Sequence, residues 1–167
     1  MDEYYNLIKP VLTNKEFLRR KNFPHHGDIT VFDHCLAVSW LAFKLAKRFS
    51  GNVQDAAIGG LLHDFYPTPW QDKPKQNHFR EAHGFVHARE AYQNVQKFFP
   101  EYTNDRIKDI IEKHMFPLNP ALPRYRETWF VTLADKYVSL EIFKHPKNLH
   151  RYIGLGAKKV KKNNKKR

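Results

Sequence analysis

The sequence predicts an all-α fold, a compact helical bundle, on three observations. Apolar residues recur at helical spacing in segments separated by proline-bearing loops. No β-branched alternation is bounded by hairpin turns, so strand signals are absent. No heptad is sustained, which argues for a bundle rather than a coiled coil. With 41% hydrophobic residues in 167, the chain can build one buried core. One domain is therefore expected over residues 1–155, with a basic tail over 156–167.

Taken in order, Tyr4 to Leu12 and Asn14 to Lys21 read as short opening helices. A turn follows at Phe23 to Asp28. Thr30 then offers a capping oxygen with Asp33 three residues on, a variant of the capping box, ahead of an apolar-periodic stretch ending near Phe49. Ser50-Gly51-Asn52 breaks that helix. Asn52 caps Val53 to His63, so rich in Ala, Ile and Leu that it should be the central buried helix. The segment Phe65 to Phe79 carries Pro67, Pro69 and Pro74 and reads as a long loop, a length more often functional than short connections are. Periodicity resumes from about Ala82 to Phe99. It returns from Thr103 or Asn104 through His114, and again from Glu127 to Lys144.

Composition narrows the function classes. A single cysteine, Cys35, excludes an internal disulfide, and its apolar neighbours suggest a buried, inert thiol. No run of ~18 apolar residues occurs and the first residues resemble no signal peptide, so a cytoplasmic protein with no membrane partner is expected. The net charge of +12 is uneven, because Lys158 to Arg167 hold seven Lys or Arg and no acid. That run has too few apolar residues to pack, and is expected to be a disordered tail able to contact nucleic acid through phosphates.

The ten histidines matter by position. His34 shares a helical face with Val31, Val38 and Leu41, and so points inward. His114 continues the stripe Ile107, Ile110, Ile111, and Asp135 lies on the stripe Val131, Val138, Ile142. His63-Asp64 ends the most apolar helix, and His83 and His87 stack four apart on the next. A core carboxylate is costly unless it is paired or ligates a metal. Each residue alone has an ordinary account as a hydrogen-bonded core group. Five helices each sending an imidazole or carboxylate inward point instead to a metal site, and mixed nitrogen and oxygen donors suit Mn, Fe, Ni, Co or Zn.

His34, then His63-Asp64, then Asp135 follow the H…HD…D order, with Ala-Ile-Gly-Gly-Leu-Leu before the pair. Over roughly Phe32 to Ile142 the chain resembles the HD superfamily of helical metal-dependent phosphohydrolases. Two further histidines make it similar to the five- to six-ligand dinuclear subset that includes symmetrical diadenosine tetraphosphatases. In that subset the third histidine stands in H-x-x-x-G-A. Here His83-Gly-Phe-Val-His87-Ala puts His87 in the glycine position, so the resemblance maps the ligand to His83 and leaves His87 as an extra ligand, a supporting group or a general acid. His114 matches the fourth histidine. The basic residue often found just after the pair is replaced by Phe65, Tyr66, Pro67 and Thr68.

The resemblance implies two divalent transition-metal ions, one on His34, His63, Asp64 and Asp135, the other on Asp64, His83 and His114, with Asp64 bridging. A metal-bound hydroxide would cleave a phosphoanhydride, phosphodiester or phosphomonoester bond of a small phosphate-containing substrate, a nucleotide, with Asp64, His63 and His87 as catalytic groups. Arg80, Arg89 and Lys136 are the phosphate-binding candidates, followed by Lys73 and Lys75. Tyr66, Trp70 and Phe79 are candidates to stack on a base, with covering the core an equally good account. The alternative from another class is a catalytically silent metal-containing module that binds nucleotide or RNA. A third reading is other chemistry on the same scaffold, such as oxygenation on an iron pair. Metal analysis with a turnover assay separates them.

Overall fold

The computed structural model describes residues 2–26, 29–68 and 80–144; within these, the side chains of residues 26, 80–86 and 142–144 are outside the description. The fold is helical: α1 (Asp2–Leu12), α2 (Lys15–Leu18) running into a 3-10 turn (Arg19–Asn22), α3 (Val31–Arg48), α4 (Val53–Leu62), α5 (Arg80–Phe98), a 3-10 turn (Pro100–Tyr102), α6 (Asp105–Lys113) and α7 (Arg126–Lys144). The expected all-α bundle is what forms. One element departs from the expectation of no strands: β1 (Pro24–His26) pairs antiparallel with β2 (Ile29–Thr30), where a plain turn was read. Strands of two and three residues are too short to leave an alternation in the sequence.

Local chemistry sets the helix starts. Asn14, Thr30, Asn52 and Asn104 each accept backbone N–H bonds at a helix N-terminus. At Thr30 the box is reciprocal, because the Asp33 carboxylate accepts the Thr30 N–H in return. Such a cap contributes ~1 kcal/mol. Ser50, with φ 53°, turns the chain after α3, and the Gly51 N–H donates to the Ala46 carbonyl.

The core is organised around α4, which packs against α1, α3, α6 and α7. Ala56, Ala57, Ile58, Leu61 and Leu62 are fully buried, and each such leucine or isoleucine contributes roughly 1.5–3 kcal/mol. Its two glycines have different neighbours. A Cβ on Gly60 would lie 2.8 Å from the Ser39 Cα, so α3 and α4 meet backbone to backbone there. The Ser39 hydroxyl donates to the Ala57 carbonyl at 2.6 Å and accepts from the Tyr4 hydroxyl at 3.0 Å, tying α1, α3 and α4 together. A Cβ on Gly59 would instead meet the Ile110 side chain of α6. Cys35 is buried, as expected. The boundary expected at 155/156 and the basic tail lie outside the described residues.

Candidate metal centre

Five helices deliver one cluster. His34 comes from α3, His63 and Asp64 from the end of α4, His87 from α5, His114 from the end of α6 and Asp135 from α7. His63 and His114 are built alike, each the residue that closes its helix. The His63 Nδ1–H donates to the Gly60 carbonyl at 2.8 Å, and the His114 Nδ1–H donates to the Ile111 carbonyl at 2.9 Å. A carbonyl can only accept, so these bonds fix the tautomer and leave each Nε2 as a bare lone pair. The His63 Nε2 lies 3.6 Å from Asp64 Oδ2 and 3.8 Å from Asp135 Oδ1, buried and, among the described residues, without a hydrogen-bond partner. The His114 Nε2 lies 3.6 Å from Asp64 Oδ1.

Three acceptors facing one another with no proton between them are unfavourable unless a cation joins them. This is how residues arranged for a metal look. Two groups among the described residues have all their ligand atoms within 4.8 Å of one another: His34 with His63 and Asp135, and His63 with Asp64 and His114. His63 is common to both, and within the second group Asp64 turns Oδ2 toward His63 and Oδ1 toward His114, with His87 also on Oδ1.

Electrostatics match the geometry. Burial alone would raise the Asp64 carboxyl, but the neighbouring His63 and His87 imidazoles, with the His87 hydrogen bond, outweigh it and hold the group well below the usual carboxylate range. Burial also opposes ionisation of Asp135, yet the hydrogen bond and charge of His34, 3.0 Å away, bring it down to about 2. The same bond lifts His34 above the ordinary imidazole value against its burial. His114 moves the other way: burial, then the neighbouring His63, push it down to about 4, so it is neutral and ready to coordinate.

The model of the HD domain matches residues 31–140, most of the described bundle. The chain belongs to the HD domain family. No curated protein and no solved structure matches this HD domain. HD domains generally are hydrolases that bind divalent metals, and the paired His/Asp groups here are a fitting donor set.

Among the remaining expected residues, His83 sits on α5 one turn before His87, and its side chain lies outside the description, as does that of Arg80. His87 Nε2 meets Asp64 Oδ1 at 2.7 Å. Arg89 is exposed and lies two residues, about 200°, around α5 from His87, so it does not share the face that meets Asp64. Lys136 is half-buried beside Asp135, and its burial lowers its proton affinity despite that carboxylate. Lys73, Lys75, Trp70 and Phe79 lie outside the described residues. Of its two accounts Tyr66 follows the second, covering the core rather than stacking on a base: it is 1% exposed, stacked on Phe23, with its ring 4.3 Å from that of His87.

Three contributors are missed by the sequence. His25, on β1, lays its ring 4.2 Å from that of His34. Arg20 is fully buried, its guanidinium 4.0 Å over the Phe65 ring, donating to the Tyr66 carbonyl at 2.6 Å and to Glu16. Asn94 donates to the Phe65 carbonyl at 2.8 Å. Together they pin the backbone leaving the His63-Asp64 pair. Within the run Leu18-Arg19-Arg20-Lys21 nothing distinguishes a buried arginine from its solvated neighbours.

Proposed function

We propose that this HD domain is a phosphohydrolase acting on a small phosphate-containing molecule, a nucleotide with a phosphoanhydride, phosphodiester or phosphomonoester bond, with two transition-metal ions shared through Asp64. The observation that carries the reading is the buried His63 Nε2 lone pair facing Asp64 and Asp135. His34, His63, Asp64 and Asp135 would hold one ion, and Asp64, His114 and His83 the other. Bound there, the ions would supply an activated water and neutralise charge on phosphate oxygens.

The chain's own groups do the rest. Gly60 and Ile111 carbonyls orient the two imidazoles, so no rotation is needed on binding. His87, its side chain 22% exposed and bonded to Asp64, stands at the open side of the cluster and holds a proton at Nε2 for the leaving oxygen. Lys136 would meet a phosphate oxygen.

Metal content of the purified protein, measured with turnover of a nucleotide panel under added Mn, Fe(II), Ni and Co, tests the reading. Asp64→Ala should lose metal and on the order of 100-fold or more of the turnover, because it would remove the ligand proposed to touch both ions. His83→Ala should lose one metal and most activity, whereas His87→Ala should keep both and change the rate or its pH dependence. Full metal and full turnover in Asp64→Ala would refute the assignment. A fully metallated wild type silent on the whole panel would favour the nucleotide- or RNA-binding module.

A further inference from the structure

Helix α7 is apolar on two faces. One face buries Val131, Ala134 and Val138 in the core. The other exposes Trp129 (37%), Leu133 (56%), Tyr137 (49%) and Leu140 (58%), spaced by four, four and three residues, a continuous stripe along the solvent side of the helix. Phe116 packs edge-on against Trp129 with ring centres 5.3 Å apart, which brings the loop bearing the exposed Leu118 and Leu122 to the same end. A soluble domain with no use for such a stripe would carry charges there.

We propose that this face of α7 is the interface of a two-fold dimer, the occupant being α7 of a second copy in antiparallel orientation. Two observations select a second copy. The stripe alternates aromatic, leucine, aromatic, leucine, so about a two-fold near residue 135 Trp129 meets Leu140 of the second copy and Leu133 meets Tyr137. Every aromatic ring faces a leucine, and the midpoints of the two pairs coincide to within about half a residue. An isologous contact requires that self-complementarity. The area is also right: at 150–250 Å² for a whole aromatic side chain, the exposed parts of the stripe and of Leu118 and Leu122 amount to roughly 500 Å² per copy. A pair then buries about 1,000 Å², the lower bound for a specific interface. The inference does not depend on the chemistry of the metal centre, since the stripe and Asp135 lie on opposite sides of α7.

Sedimentation equilibrium of the full chain from about 1 to 100 μM decides the matter. A dimer predicts twice the chain mass of 19.9 kDa. Leu133→Glu with Leu140→Glu should return the mass to that of one chain, raising the dissociation constant on the order of 100-fold or more with helicity unchanged. Mixing Leu133→Cys protein with Tyr137→Cys protein should give an intermolecular disulfide. Should the double glutamate variant fail to fold, that cross-link decides alone. A monomer at every concentration overturns the proposal, whether residues 145–167 or an anionic vesicle holds the stripe instead. A dimer unmoved by the substitutions, or Trp129→Cys linking to itself as a parallel pair would, overturns it as well.

Discussion

His114 and Asp135 are both lowered in the centre, and their titration can be followed in the metal-free protein. His114, lowered to about 4 from 6.5, contributes stability that is complete above pH 6.5 and is lost as pH falls through about 4. Asp135, lowered to about 2, contributes above the usual carboxylate range and is lost as pH falls through about 2. His34, raised, contributes below 6.5 and loses that contribution as pH rises through its folded value. Metal-free protein should therefore be most stable near pH 6.5. Taking it to pH 4 should cost on the order of 3 kcal/mol, roughly 6–12 °C in Tm. His114→Gln should flatten that acid limb, and a Tm series in chelator shows whether it does. His34, His114 and Asp135 were readable from sequence because each interrupts an otherwise apolar helical stripe. The contact of His87 with Asp64 was not, because periodicity allows either ring of α5 to face inward and only packing selects the register.

Helix α4 shows why a run of small and apolar residues precedes the site. Gly60 lets α3 approach until backbone touches backbone, and its carbonyl receives the His63 Nδ1–H. Gly60→Ala should push the two helices apart, lowering stability by about 2 kcal/mol, or 4–8 °C, and displacing His63. Gly59→Ala would crowd the buried Ile110, its Cδ1 at 2.6 Å, Cγ2 at 3.0 Å and Cβ at 3.3 Å, but there a side chain rather than a backbone must give, so its Tm should fall less than that of Gly60→Ala. Equal losses in thermal melts of the two variants would contradict this packing account. The caps at Thr30, Asn52 and Asn104 were legible because capping is settled within four residues. The unequal roles of adjacent glycines were not, since they depend on α3 and α6. The β1–β2 ribbon escaped notice for its shortness.

For the whole molecule, the basic tail is expected to add nothing to the fold. Removing Lys158 to Arg167 should leave the Tm within about 1 °C and the small-substrate rate unchanged, while weakening any polyanion complex and flattening its salt dependence. A drop of many degrees would mean that the tail packs on the bundle. The bundle was legible as a set of periodic segments, and the centre as polar groups that no bundle core would otherwise tolerate. Arg20 was not, because its burial comes from a loop distant in sequence. The convergence of α4 and α6 has one more consequence. Both helices end at the cluster, so their peptide dipoles aim their negative ends, about half an elementary charge each, at the same point as two carboxylates. The potential there repels phosphate. Binding must then be ordered, cation before anion, and inorganic phosphate should be held by the metal-loaded protein and ignored by the metal-free one.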